Sequence, residues 1–393
     1  MVPIGKKITP WFHGWNVLAV GIFTVAMCVG VVNFSFTFYV VRWVEEFDTS
    51  RSVAMLALSA GQIVAGLLLP FTGRAMDRLP IRWLASGGAL LLGLAFILVS
   101  YAQSIIHIII LYGIFIAAAE SLAGPLVAQT LAAKWFRGRR GFAIGLAALG
   151  TSVGGFILPP IVAYFLVQYG WRTAHLYIAG IVVLTTIPLL LLVVKGAPAA
   201  EDDAPTSSAA RPAPQVPTDR SWTTREILRT RYFWFVVVAF LPLMEMTTAL
   251  LSNLALWTKD LGIDTQRTAF LMSILSLMMI SGKITFGYLA DRFDMRLLCF
   301  GGAAMLCTAL IMMVGKPSYP LLIVIIVMIG LSAGGQLPLA GAMIGRYFGP
   351  LSFGSVMGLF YLCIRPVAFG GPIGGWVRDR FGSYDYFWLG GLA

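Results

Sequence analysis

Residues 73–78 read GRAMDR and residues 287–292 read GYLADR, so the pattern Gly-x-x-x-Asp-Arg occurs twice in this chain. Each copy follows a long apolar run, and another apolar run, 83–101 or 297–315, begins soon after it. The pattern therefore lies in the short connection between two apolar segments. Its repetition indicates that the same local arrangement is built twice.

The composition places these runs in lipid. Hydrophobic residues make up 59% of the 393 residues and charged residues only 11%, with a mean hydropathy of +0.85. A soluble globule of this size needs more polar surface than that. The chain is therefore predicted to be a membrane protein.

Crossing about 30 Å of hydrocarbon takes roughly 20 apolar residues in a helix. Eleven complete runs meet this length. They lie at 15–41, 53–72, 83–101, 105–132, 142–167, 175–194, 232–257, 268–288, 297–315, 320–345 and 354–376. A twelfth run opens at Tyr386 but the chain stops at Ala393, so we expect twelve spans with the last one truncated here. The runs lack the period-two alternation of membrane strands, which predicts an all-α polytopic membrane protein.

The basic residues predict the orientation. Lys6 and Lys7 precede a first run without a small-residue cleavage site, so this run is read as a retained span. With a cytoplasmic N-terminus, most Lys and Arg of the loops, including the cluster Lys134–Arg140, fall on the cytoplasmic side. We therefore expect a multi-pass protein of the cell inner membrane, and interpret the cluster as a topological anchor. No nucleic-acid partner is indicated.

The chain divides into two predicted halves. Residues 196–229 are rich in Pro, Ala, Ser and mixed charge, a composition that buries too little apolar area to fold. They are predicted to be a cytoplasmic linker between a six-helix bundle at 1–195 and a second, incomplete one at 230–393. The two bundles are expected to be pseudo-symmetric.

Further repeats support this duplication. FDTSRSVA, with Asp48 and Arg51, follows the first span, and GIDTQRTA, with Asp264 and Arg267, follows the seventh. The separation between matching positions is nearly the same for all the repeats. This arrangement is typical of transporters built from duplicated bundles around a central site. Two glycine pairs keep the same separation: Gly141 with Gly354, and Gly145 with Gly358.

The doubled Gly-x-x-x-Asp-Arg pattern resembles the loop signature of the major facilitator superfamily, and the resemblance covers the whole chain. Pro80 and Asp294 depart from that signature at matching places. Three segments are similar to the branch with monocarboxylate transporters and oxalate/formate exchangers: GWNVLAVGIF from Gly14, KWFRGRRGFAIGLAALG from Lys134, and GGPIGGW from Gly370. The resemblance implies alternating access between two rocking halves.

The Asp-Arg pairs of the two signatures are candidates for a conformational latch. Each aspartate ends a span on the cytoplasmic side, where it can pair with an arginine or lie at a helix N-terminus. The pairs are Asp77 with Arg78 and Asp291 with Arg292. The alternative, simple capping of the loop, stays open.

Four charged residues are predicted to lie near the middle of the membrane: Glu120, Glu245, Lys283 and Arg365. Insertion of one such charge costs about 2.5–3.5 kcal/mol, so each needs a reason. None is repeated in the other half, where Leu69 stands for Lys283 and Ser152 for Arg365. A duplicated scaffold would be symmetric, so the asymmetry indicates function.

Lys283 and Arg365 are the candidate substrate-binding cations. Arg can bind a carboxylate through two hydrogen bonds, and Lys acts as a point charge. The resemblance implies the same roles: this branch carries a basic residue four positions before the second signature glycine, at Lys283, and dicarboxylate exchangers add one on span eleven, as at Arg365. The lysine that animal monocarboxylate carriers have on span one is missing from 15–41.

Glu120 and Glu245 are candidates for binding a coupling proton, since carboxylates in low dielectric can take up protons at physiological pH. They could equally be structural partners of the two cations. Asn33, Asn253 and Tyr361 are further candidates for orienting a ligand, with interhelical hydrogen bonding as the alternative.

These patterns predict a secondary transporter of small organic anions, either monocarboxylates or small dicarboxylates, coupled to protons or exchanging one anion for another. The alternative is proton-driven efflux of cationic or amphipathic compounds, with Glu120 and Glu245 as counterions. No metal site, cofactor or enzymatic nucleophile is indicated, and the four cysteines fall within apolar runs.

Overall fold

The computed structural model describes residues 13–136, 140–194, 222–290 and 292–392, and all regular elements in these ranges are helical. This confirms the predicted all-α class. The helices are α1 Gly14–Glu46, α2 Arg51–Arg78, α3 Ile81–Ser100, α4 Ile105–Ala132, α5 Arg140–Val193, α6 Thr224–Arg229, α7 Arg231–Asp260, α8 Thr265–Ala290, α9 Met295–Met313, α10 Tyr319–Cys363, α11 Gly370–Phe381 and α12 Asp385–Gly390.

Ten helices of the described ranges are long and apolar enough to cross a membrane. One of them, Ala143–Val193, has 51 residues, which would measure about 77 Å as a straight helix. It turns back at Gly170, whose φ of 77° is a backbone conformation that side chains disfavour. Gly349 (φ 75°) turns α10 back in the same way, and the arms Tyr319–Gly349 and Val356–Phe381 are already counted separately among the ten. With Ala143–Val193 folded back on itself, the described helices supply the eleven apolar lengths expected from the sequence, and the two single glycines lie in the gaps between the runs 142–167 and 175–194 and between 320–345 and 354–376.

Large apolar side chains cover the outside of the molecule. Leu184, Leu192 and Phe300 are 75%, 73% and 72% exposed, respectively. Such a surface is stable when it faces hydrocarbon rather than water. Inside, aromatic residues such as Trp43 and Phe240 are almost fully buried between helices.

The end of the predicted linker is folded. Thr223 and Glu226 form a capping box at the start of α6, in which each side chain bonds the backbone nitrogen of the other. The backbone nitrogen of Trp222 donates to Ser352 Oγ at 2.7 Å. The last part of the linker therefore packs against the helices that follow it, and residues 195–221 lie outside the described residues.

The two ends of the helical bundle are named the linker face and the far face. The linker face carries the helix ends at Arg78, Val194 and Trp222, and the far face carries those at Glu46 and Asp260. We call the described residues before 195 the first half and those from 222 the second half. The candidate site lies between these halves.

On the far face, charged side chains join the two halves. Arg51, at the start of α2, donates two hydrogen bonds of 2.7 Å to the two carboxylate oxygens of Asp260, at the end of α7. Arg378 of α11 donates to the same carboxylate at 2.8 Å. A second ion pair joins Lys259 to Glu45 across the same boundary. We call Arg51, Asp260 and Arg378 the far-face lock.

Close helix contacts extend the lock toward the membrane interior. Gly375 of α11 packs so closely on α2 that an added Cβ would lie 2.9 Å from the backbone nitrogen of Ser52. Gly155 of α5 contacts Ser276 of α8 in the same manner. Both contacts join one half to the other, so the halves are tightly apposed in the outer part of the molecule.

Toward the linker face, glycines of these helices have open space beside them. A Cβ added at Gly73, Gly145, Gly287 or Gly358 would meet no atom of the described chain within 4 Å. These glycines lie on α2, α5, α8 and α10. The contacts nearer the far face are made by α2, α5, α8 and by α11, which follows α10 in the chain. Among the described residues, the close contacts between the halves therefore lie toward the far face, and open space lies beside these glycines nearer the linker face.

The far-face lock should control these contacts between the halves. We expect Asp260→Asn to raise the labelling rate of a cysteine introduced at Thr37 by about tenfold, since losing about 1.5 kcal/mol of charge-assisted hydrogen bonding shifts a two-state population by that factor. Thr37 is fully buried, and its hydroxyl accepts from Ala255 across the halves at 3.0 Å. The measurement is maleimide labelling of purified protein whose four native cysteines are replaced by alanine.

The matched control is Asp264→Asn, which makes the same charge change nearby but breaks a pair with Arg267 inside one half. Its labelling rate should equal that of the parent. Equal labelling of both variants would mean that the lock does not hold the halves together.

Candidate functional site

Lys283 of α8 reaches across to the first half. Its Nζ donates to Ser152 Oγ at 2.9 Å, to Thr151 Oγ1 at 3.1 Å and to the carbonyl oxygen of Ala148 at 3.2 Å. An ammonium group has three N–H donors, so all of them are used. Every acceptor is neutral, and no ion pair to Lys283 is present among the described residues. The positive charge of Lys283 is therefore solvated by the protein but not neutralised.

The position of Lys283 follows from the contacts on either side of it. Nearer the far face, Gly155 packs on Ser276, and Ser273 donates to the carbonyl oxygen of Phe156 at 2.8 Å. Beyond Lys283, a Cβ added at Gly287 would meet open space. The ammonium thus lies at the linker-face end of these contacts between α5 and α8.

Arg365 lies at a break in the helical path. The 3₁₀ helix Arg365–Phe369 separates α10 from α11, and discontinuous helices commonly form ion sites in transporters. The side chain of Arg365 lies outside the described residues. The break itself packs against α7, where an added Cβ at Gly370 would lie 3.0 Å from the carbonyl oxygen of Glu245 and 3.3 Å from its Cγ.

The two glutamates have different surroundings. Asn33 Nδ2 donates to Glu120 Oε1 at 2.9 Å, and Gln62 donates to Asn33 Oδ1 at 3.3 Å. Asn33 lies in the π-helical turn Gly30–Phe34 of α1, which re-aims its side chain relative to a regular helix. Glu245 makes no hydrogen bond or ion pair within the described part of the chain. Neither glutamate is a direct partner of Lys283. The alternative in which a glutamate serves as the structural partner of Lys283 is therefore not seen in this state.

Asn253 and Tyr361 are placed differently from one another. Asn253 is fully buried, donates to the Gly371 carbonyl oxygen at 3.1 Å and accepts from the Tyr384 hydroxyl at 3.1 Å. Tyr384 also receives a hydrogen bond from Arg51 of the far-face lock, at 3.4 Å. Asn253 thus supports that lock, whereas Tyr361, 40% exposed, lies one turn before the break.

The predicted latch lies on the linker face. Arg78 ends α2, and the guanidinium of Arg292 lies 4.3 Å from the centre of the Tyr288 ring. The side chain of Asp77 and the whole of Asp291 lie outside the described residues. Of the two departures from the signature, Pro80 precedes α3, and Asp294 caps α9 by accepting from the Arg296 nitrogen at 2.9 Å. Both turns are therefore formed despite the substitutions.

Sequence reasoning missed the residues that join the halves. The sequence marks Arg51 only as part of the repeated motif and carries no signal for Asp260. It marks Ser152 only as the counterpart of Arg365 and carries no signal for Thr151. Hydroxyl residues in apolar helices are too common to signal a contact with a distant lysine. Within the described ranges, no three His, Cys, Asp or Glu side chains come together as metal ligands.

Comparison with known proteins identifies the relatives of this fold. The sequence profile described as "Major Facilitator Superfamily" matches residues 18–372. Monocarboxylate transporter 12 of Rattus norvegicus is 27% identical over 96% of this chain and 82% of its own length. Monocarboxylate transporter 13 of the same species is 26% identical over 94% and 84%. A bacterial homologue of the human lysosomal transporter Spinster, crystallised in an inward-facing, unoccupied conformation, shares the fold with a TM-score of 0.72 and 16% identity, over 96% of this chain and 87% of that one.

Proposed function

This chain belongs to the Major Facilitator Superfamily, and we propose that it carries small organic anions, either monocarboxylates or small dicarboxylates. It is a multi-pass membrane transporter related to the monocarboxylate transporters. The names of these relatives support a carboxylate substrate and lend no support to the efflux of cationic compounds. The proposal rests on the ammonium of Lys283, whose charge no carboxylate of the described residues neutralises.

A positive charge in the membrane interior attracts an anion most strongly when no protein carboxylate occupies it. Lys283 is bonded to two hydroxyls and one carbonyl, all neutral. A permanent ion pair would have offset the cost of a charge in low dielectric more fully. The absence of such a partner among the described residues fits a cation whose partner is the substrate.

Arg365 is proposed as the second cation. It belongs to the same half as Lys283 and lies at the 3₁₀ break beside Glu245. A guanidinium there could bind a carboxylate through two hydrogen bonds. With one cation engaged, the site would suit a monocarboxylate, and with both, a small dicarboxylate. Asn33 and Tyr361 are proposed to orient the rest of the anion. Asn253 is proposed to act indirectly, through its hydrogen bond to Gly371 just after the helix break.

The transport cycle is proposed to be alternating access. Contact between the halves at the far face, with the linker face open, is proposed as one end state of such a cycle. The excess of basic residues supports a cytoplasmic linker face in the cell inner membrane, which would make this state inward-facing. In the other state, Asp77, Arg78, Asp291 and Arg292 are proposed to close the linker face.

Energy is proposed to come from protons or from a counter-anion. Of the two candidate proton carriers, Glu245 has no described hydrogen bond that protonation would break. Glu120 accepts from Asn33 at Oε1, and that hydrogen bond would be lost if Oε1 took up the proton. Glu245 is therefore the stronger candidate, and its contact with the helix break of Arg365 would link protonation to anion binding.

The anion proposal predicts a loss of exchange in Lys283→Gln. In proteoliposomes loaded with unlabelled anion, we expect counterflow of radiolabelled lactate, pyruvate, formate or oxalate to fall at least about tenfold, because a charge-assisted contact contributes about 1.5–3 kcal/mol. Arg365→Gln should reduce oxalate counterflow more than formate counterflow, because only the dicarboxylate engages both cations.

Lys134→Gln is the matched control. Lys134 lies just after α4, near the linker face, and donates to the backbone carbonyl of Met76 at 2.8 Å. Its counterflow should stay within about twofold of wild type, the range of a neutral surface change. Anion counterflow at the wild-type level in both Lys283→Gln and Arg365→Gln would refute the two-cation site.

The coupling proposal predicts a separation of two activities in Glu245→Gln. Accumulation of anion driven by an imposed proton gradient should be lost, since glutamine cannot carry the proton. Counterflow at equal pH on both sides should persist at about half of wild type or more, because exchange needs no net proton movement. Glu120→Gln is the comparison variant and should retain gradient-driven accumulation.

If Glu245→Gln accumulates anion as wild type does, Glu245 is not the proton carrier. If Glu120→Gln alone loses accumulation, that role passes to Glu120. A wild type that exchanges anions but never responds to the gradient would establish exchange as the mode of transport.

A further inference from the structure

Lys283 is held by the half of the protein that does not contain it. Its three acceptors all belong to one turn of α5 in the first half, whereas the lysine is on α8 in the second half. Ser152 is fully buried, and Thr151 also donates to the carbonyl oxygen of Ala148, at 3.0 Å. We call Ala148, Thr151 and Ser152 the lysine cradle.

The cradle satisfies the ammonium so completely that no N–H is left over. A carboxylate that binds Lys283 must therefore take at least one donor away from the cradle. The hydroxyls of Thr151 and Ser152 compete with the substrate for the same protons. They also lie where the contact between α5 and α8 ends, so losing these bonds removes the innermost polar link between the halves along these two helices.

We propose that Thr151 and Ser152 are positioning residues that hold Lys283 across the halves when no anion is bound and release it to the anion. The proposal rests on the anion transport proposed above. The cradle then competes with the anion for Lys283, which lowers the affinity of the protein for the anion. Binding of the anion in turn loosens the contact between the halves.

The neutrality of the cradle supports this role. A carboxylate at Ser152 would hold the ammonium too firmly for a substrate to displace, because an ion pair in low dielectric is strong. An apolar residue would remove one of the three acceptors from a buried charge. Hydroxyls satisfy the ammonium with bonds of modest net strength, which an anion can replace. The matching position in the second half carries Arg365 instead, so the hydroxyl is not a shared feature of the scaffold.

The test is equilibrium binding of radiolabelled pyruvate and oxalate to purified protein, together with exchange kinetics in proteoliposomes. Ser152→Ala and Thr151→Val should each bind the anion about fivefold more tightly, the equivalent of one net hydrogen bond withdrawn from competition. The KM for exchange should fall with the Kd, and kcat should fall as well because the anion leaves more slowly. Ser152→Thr keeps the hydroxyl and should behave as wild type.

Thr130→Val is the control for a lost helical hydroxyl, since Thr130 bonds the Leu126 carbonyl of its own helix, at 2.7 Å, and no other group among the described residues. It should leave Kd unchanged. A general loss of folding in Ser152→Ala would reduce the number of binding sites and not tighten Kd. Unchanged or weaker binding in Ser152→Ala would overturn the proposal. Failure of wild type to bind or exchange either anion would instead refute the transport proposal on which this one rests.

Discussion

In hydrocarbon, every backbone N–H and C=O group must find its partner within the protein. This constraint accounts for the helical form of every regular element in the described chain, since helices satisfy their own backbone. At Gly170 and Gly349 a single residue reverses the chain, so little backbone is left outside the helices there. Several polar side chains of the described interior are paired as well: Asn33 is bonded to Glu120, Asn253 to Gly371 and Tyr384, and Lys283 to the lysine cradle.

Much of the fold is readable from the sequence because its signals are long and local. Each crossing is an apolar run of about 20 residues, which a single stretch reveals, and the doubled GRAMDR and GYLADR motifs reveal the repeat. The resemblance to the major facilitator superfamily and to its monocarboxylate branch is confirmed by the family match and by the named relatives. The one-glycine turns were missed, because a positive φ leaves no mark that separates Gly170 from the other 41 glycines.

The site was harder to predict because its contacts join residues far apart in the chain. Depth along a helix identified Lys283 and Arg365, since it can be counted from the run boundaries. The direction in which each side chain points cannot be counted in that way. Sequence therefore gave no reason to pair Lys283 with Ser152, or Arg51 with Asp260. Charges at span ends occur on both faces, and the sequence drew attention to those of the linker face because they form a recognisable motif.

Two of the cation contacts between the halves, those of Arg51 and Lys283, differ in a way that suits their places. Arg51 grips Asp260 with two parallel bonds of 2.7 Å, and a planar fork of this kind is either engaged or released as a whole. Such a contact suits a lock at the rim, which must be closed or open. Lys283 makes three separate bonds to three acceptors, and an ammonium can exchange them one at a time. A binding event that begins while the halves are still in contact requires this gradual exchange, so lysine suits the junction and arginine the rim.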